Sequence, residues 1–149
     1  MTLAPALIFD LDGTLADTAP DLLSATNAVL AAHGLPPMDL DHLRHLVGFG
    51  AKALISQAME GAGRPVTEPQ IPPLIEIFVT HYRNHICEDS HLFAGVADTL
   101  GALKRGGARM GVLTNKPHDL AALLLPQLGI EGLFDAIYGA GRKPYAKPD

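Results

Sequence analysis

The chain has 149 residues, 48% of them hydrophobic and 18% charged, with a formal net charge of -5, a composition that supports a buried core and excludes a disordered chain. The acidic balance excludes a protein held to nucleic acid by its backbone phosphates, which need basic patches. No apolar run approaches the roughly 20 residues of a membrane span and the start MTLAPALIFD lacks a basic signal-peptide region, so a cytoplasmic protein is expected, with no nucleic-acid or membrane partner.

The run Ala6-Leu7-Ile8-Phe9 opens a first strand over residues 6–11, of the fully apolar kind that sits inside a sheet. Pro20 opens a helix carrying Leu22, Leu23, Val29 and Leu30, and Gly34 stops it. Pro36 and Pro37 make a turn, and Asp39 is placed to cap a short helix ending near Val47 and Gly48. Another helix is expected over 51–59 and a loop over 61–66. Thr67 and Gln70 have capping-box spacing ahead of Ile71, Leu74, Ile75, Phe78, Val79, Tyr82 and Ile86, which recur at helical period. Residues 16–90 therefore predict helices and no strand.

The pattern then changes. Val96, Leu100 and Leu103 mark a helix closed by Gly106 and Gly107, and residues 109–114 (RMGVLT) read as a second strand. Pro117 opens a helix with Leu120, Leu124, Leu125 and Leu128, which Gly129 ends, and residues 134–138 form a third strand. This alternation predicts an α/β core with a parallel sheet and right-handed crossovers, interrupted after its first strand by a helical insertion. Cys87 is the single cysteine, which excludes an intrachain disulfide and reads as a small buried residue.

The chemistry concentrates at strand ends. In the stretch FDLDGT, Asp10 and Asp12 sit two residues apart where the first strand stops. Two carboxylates there are costly to bury without a cation or hydrogen-bond donors. Gly13 permits a sharp exit and Thr14 adds a hydroxyl. Thr114 and Asn115 follow the second strand, and Lys147 lies after the third. Ligands of open parallel sheets bind at that edge. A nucleophile, an acid/base, a hydroxyl with backbone donors and a cation suit phosphoryl transfer.

FDLDGTLADT, VLTNKP and the final KPD resemble the first three motifs of the haloacid dehalogenase superfamily of phosphohydrolases, and GTLADTAPDL, HLVGFGAKALI and LTNKP are similar to its phosphoglycolate phosphatase branch. The resemblance implies a Rossmann-like parallel sheet core over 1–15 and 91–149 with an inserted α-helical cap over 16–90. It implies hydrolysis of a small phosphomonoester, 2-phosphoglycolate first among them. Asp10 would be the nucleophile, forming an aspartyl-phosphate, and Asp12 the acid/base. Thr114 and the Asn115 amide would hold the phosphate, and Lys147 would pair with Asp10, with Lys143 as the alternative cation. Magnesium would bridge the Asp10 carboxylate, the Asp12 carbonyl oxygen and the phosphate. Asp12 counts against the dehalogenase branch, which usually lacks the second Asp.

Other residues carry two readings each. Thr114 and Asn115 could cap the helix after Pro117. Thr14 is a substrate-binding candidate, as are Arg44 and Lys52, which could meet a substrate carboxylate or be surface charges. Asp17 could cap the first helix or lie at the mouth of the site. His81 and His85, four apart, could be a metal pair, but an exposed helix face is preferred. The family's fourth, acidic motif does not occur before Asp149, so an incomplete core and a weakened magnesium site are expected. The first strand then becomes a sheet edge through which two copies could pair as a homodimer. The alternatives are a phosphate-binding fragment without turnover, a related phosphomutase or sugar-phosphate phosphatase, and a signalling receiver, which the helical insertion counts against.

Overall fold

A computed structural model describes residues 5–141. After Pro5 the apolar run forms β1 (Ala6–Phe9), and Gly13, at φ 76°, takes the left-handed conformation that the sharp turn after it requires. The Leu11 carbonyl closes that turn by accepting from the amides of Thr14, Leu15 and Ala16 at 3.2, 3.0 and 3.3 Å. β2 (Ala16–Asp17) leads into α1 (Ala19–Ala32), which has Pro20 in its first turn, where no amide is needed. α2 (Leu40–Arg44) is capped by Asp39, whose carboxylate accepts from the His42 amide at 2.7 Å. α3 (Ala51–Gly61) and α4 (Ile71–Asn84) follow. The chain returns through β3 (His91–Leu92), α5 (Val96–Arg105), β4 (Arg109–Pro117), α6 (His118–Leu128) and β5 (Ala136–Ala140). Among the described residues no helix is long and apolar enough to cross a membrane.

The three main strands form one parallel sheet in the order β1-β4-β5. The β1 register pairs Ala6 with Arg109 and Phe9 with Val112. Met110 and Val112 of β4 are buried, as are Leu120, Ala121, Leu124 and Leu125 of α6, which packs on β4 and β5. Among the described residues β1 has one strand neighbour, β4. With a single strand neighbour its residues alternate between exposed and half-buried, and Ile8 is 66% exposed. This corrects the reading of a fully buried strand reaching residue 11.

Two further boundaries differ. β4 runs three residues beyond Thr114 because it regains β5 at Pro117↔Ala140 after an irregularity. β5 starts at Ala136, not at 134, because residues Glu131–Leu133 coil into a 3-10 turn. β2, at the start of the region read as helical, pairs antiparallel with β3 just after it, Ala16↔Leu92 and Asp17↔His91. Two residues carry no periodicity, so such a strand is visible only through its partner.

The described residues divide into two compact units. One is Thr18–Ser90; the other comprises the described residues before and after it. In the helical unit α1 packs on α4 around Leu22, Val29, Leu74 and Phe78, and the Phe78 and Tyr82 rings lie 5.9 Å apart. Each such fully buried side chain contributes about 1.5–3 kcal/mol. The Gln70 side chain accepts from the Thr67 amide at 2.8 Å, as the capping-box spacing required, but it opens a 3-10 turn that leads into α4. α2 ends at Arg44, ahead of the expected Val47 and Gly48.

Candidate active site

Asp10 follows β1 directly, and its carboxylate accepts from the Leu11 amide at 2.8 Å. Leu11 and Leu15 are 0% and 3% exposed and pin the turn to the core. Asp12 lies between them, buried, and bridges to Ala16. Because β1 and β4 are parallel and Phe9 pairs with Val112, Asp10 lies one residue beyond that pair and Thr114 two. The same sheet edge therefore presents both motifs.

β4 places its residues alternately. Thr114 and Lys116, two apart, are both buried, while Asn115 between them is half-buried. The Lys116 amide donates to Thr114 Oγ1 at 3.1 Å. The Lys116 ammonium lies 3.0 Å from Asp12 Oδ1, with side chains only 4% and 7% exposed. Lone buried ions of either sign carry a desolvation penalty of several kcal/mol, which close pairing offsets. A lysine so little exposed is found only where it has a partner.

Thr114 and Asn115 lie inside β4, and Pro117 occupies the N-cap position of α6 without a side-chain cap, so neither residue is a helix cap. Asp17 lies in β2, paired with His91 of β3, and Thr18 holds the N-cap position of α1. Thr14 sits exposed in the turn and lines a largely apolar cleft of about 280 Å³ with Phe9, Leu15, Val96 and Leu100. Arg44 and Lys52 belong to the helical unit and are exposed there, and Lys52 Nζ lies 2.9 Å from Glu68 Oε2. Lys147 and Lys143 lie outside the described residues.

His81 and His85 are partly exposed, and the His85 side chain is 40% exposed. Their rings stack at 4.4 Å, with His81 Nε2 2.7 Å from Ser24 Oγ and His85 Nδ1 2.6 Å from Glu88. Among the described residues no three His, Cys, Asp or Glu side chains gather to hold a metal ion.

Sequence reasoning missed Lys116. It stood inside the quoted LTNKP, but the strand was expected to end at Thr114. Extending the strand by two residues exposes the signal: Thr114 and Lys116 then share one buried face, with Lys116 beside Asp12.

The model of the family described as haloacid dehalogenase-like hydrolase matches residues 7–149. The phosphoglycolate phosphatase of Caulobacter vibrioides is 43% identical over 143 residues, covering 96% of this chain and 60% of that protein. The N-acetylmuramic acid 6-phosphate phosphatase of Pseudomonas aeruginosa is 40% identical over 124 residues, covering 83% of this chain and 54% of its own length. A crystal structure described as a predicted phosphoglycolate phosphatase from Haemophilus somnus superposes with a TM-score of 0.87 at 33% identity, over 99% of this chain and 68% of that one. The chain thus spans little more than half the length of the curated relatives it matches. With the strand-end Asp pair, the buried Thr114 and a family match running almost from end to end, the chain belongs to the haloacid dehalogenase-like hydrolases.

Proposed function

We propose that this chain carries the phosphoryl-transfer site of a phosphomonoesterase, with 2-phosphoglycolate as its foremost substrate and glycolate and phosphate as products. The observation that carries the reading is the burial of Asp12, Thr114 and Lys116 together at the edge where Asp10 ends β1. Asp10 attacks the phosphorus in line, forming an aspartyl-phosphate as the ester oxygen leaves with a proton from Asp12. Asp12 then takes a proton from water, which attacks phosphorus and releases phosphate and the Asp10 carboxylate. Such proton transfer typically contributes about 10²–10⁴-fold. Thr114 Oγ1 accepts from the Lys116 amide, so its own proton is directed to a phosphate oxygen.

The donors at this edge fit magnesium in kind. The Asp10 carboxylate and the Asp12 carbonyl are hard oxygen ligands, and magnesium retains several waters besides one or two carboxylates. Bound there, the ion would neutralise charge between the Asp10 carboxylate and the phosphate.

Phosphate release from 2-phosphoglycolate, with and without magnesium and in Asp10→Asn, tests the reading. Magnesium-dependent release that Asp10→Asn abolishes supports it, and no release from folded protein with magnesium in excess rejects it. The Pseudomonas relative's name favours a second substrate class, phosphorylated sugars. Faster release from a hexose or amino-sugar 6-phosphate than from 2-phosphoglycolate would select that class.

A further inference from the structure

Neither the family motifs nor the phosphatase reading gives the Lys116 ammonium a part in the reaction. We propose that Lys116 is a positioning residue, which holds Asp12 through its side chain and Thr114 through its main chain. The inference rests on the phosphatase reading, since it concerns how that site is held in register.

The side-chain arm is the ion pair at 3.0 Å, with both side chains more than nine-tenths buried. Exchanging a buried ion pair for packed apolar residues is often neutral or stabilising, so stability alone does not account for the pair. Geometry does. An ammonium has three donors and no acceptor, and with its stem buried in a β-strand it holds one carboxylate oxygen close to it. Asp12 sits in a single β-bridge just ahead of the turn, and its backbone by itself leaves the carboxylate several rotamers. A proton donor displaced by about 1 Å can lose about 100-fold in rate.

The main-chain arm runs in the opposite direction, from the Lys116 amide to Thr114 Oγ1 at 3.1 Å. One residue therefore connects the acid/base of the first motif to the phosphate-binding hydroxyl of the second. Lys116 is itself held by β5. A Cβ added to Gly139 would lie 2.8 Å from the Lys116 carbonyl oxygen and 2.6 Å from the His118 amide nitrogen, so the strands meet there without room for a side chain.

The two arms can be separated by substitution. Lys116→Met removes the ammonium and keeps the amide. Steady-state kinetics of the full chain with magnesium and 2-phosphoglycolate, or the best hexose 6-phosphate, would compare wild type, Lys116→Met, Asp12→Asn and the double variant. Lys116→Met is expected to lower kcat by about 10–100-fold with KM changed by less than about threefold. In the Asp12→Asn background the same change is expected to alter kcat by less than about twofold, because the carboxylate it positions is gone. An equal loss of kcat in both backgrounds, or a rise in KM at unchanged kcat, overturns the inference while leaving the phosphatase reading intact. No turnover by wild type overturns both. Thermal unfolding accompanies each variant. If Lys116→Met alone does not fold, Lys116→Leu, which also removes the donor, takes its place with the same two criteria.

Discussion

Ser90 donates two hydrogen bonds to one carboxylate oxygen of Asp21, from its amide at 2.8 Å and from its hydroxyl at 2.6 Å. The Asp89 amide also donates to this carboxylate, at 3.1 and 3.2 Å to its two oxygens. Asp21 is only 2% exposed and stands in the first turn of α1, where the helix dipole favours a negative charge. The helical unit is thus clamped where its chain enters and leaves. Hydrogen bonds to a charged group contribute about 1.5–3 kcal/mol each. Asp21→Ala is expected to destabilise the protein by about 3 kcal/mol or more, read from the urea midpoint of circular dichroism. Asp21→Ala within about 0.5 kcal/mol of wild type, the range of ordinary surface changes, would reject the clamp.

Gly139 lies where β5 approaches the backbone of β4 and α6. Adding a methyl there meets main-chain atoms of Lys116 and His118, which cannot swing aside as a side chain would. Gly139→Ala should therefore destabilise by about 3 kcal/mol and lower kcat, because Lys116 shifts with its strand. Gly111→Ala is the milder control, since its added Cβ would lie 3.3 Å from the Ala136 carbonyl oxygen and from Ile8 Cδ1. Equal melting temperatures for the two variants would count against the close approach.

Thr114→Val keeps the side-chain shape and removes the hydroxyl. The Lys116 amide then loses its buried acceptor, at about 1–3 kcal/mol of stability. The phosphate loses a donor, so KM should rise by about tenfold, equivalent to about 1.4 kcal/mol. Steady-state kinetics and thermal melts measure the two effects separately. A Thr114→Val enzyme with wild-type KM would remove Thr114 from the phosphate site.

His81 titrates below the ordinary histidine range because burial disfavours its charged form and His85 repels it, with Glu88 opposing weakly. The unfolded chain therefore binds a proton at higher pH than the folded one. Stability associated with neutral His81 is complete above the unfolded value of about 6.5 and is lost as pH falls below it. The urea midpoint should fall between about pH 7.5 and 5.5, and less steeply in His81→Gln. An unchanged slope in His81→Gln would assign the dependence to another group.

Cys87 has its thiol pushed up, chiefly by burial and secondly by the negative charge of Asp21. Less thiolate is then present at a given alkaline pH, and the thiolate is the nucleophile. Iodoacetamide at about pH 8.5 should alkylate Cys87 several-fold more slowly than a free cysteine peptide. Mass spectrometry of the intact chain follows the reaction, and equal rates would contradict the assigned surroundings.

Much of this molecule was legible in its amino acids. Pro20 and the apolar period of α1, the Thr67–Gln70 box and the Gly129 stop are local signals, and each marks an element within a few residues of where it forms. The same is true of FDLDGT, whose apolar run, paired carboxylates and following glycine together describe a strand end built for chemistry. These features depend on neighbours along the chain, which a sequence displays directly.

The sequence by itself determined the α/β class and the position of the helical insertion, and it marked Asp10, Asp12 and Thr114 as candidates. Only the tertiary structure decided that β4 continues to Pro117, that Lys116 reaches Asp12 and that Asp21 holds Ser90. Each of these is a bond between residues distant in the chain. β4 runs past Thr114 because β5 pairs with Pro117, and that extension carries Lys116 into the buried face. The lysine's burial, and with it the strength of its attraction to Asp12, exists only once the sheet has assembled and water has been excluded.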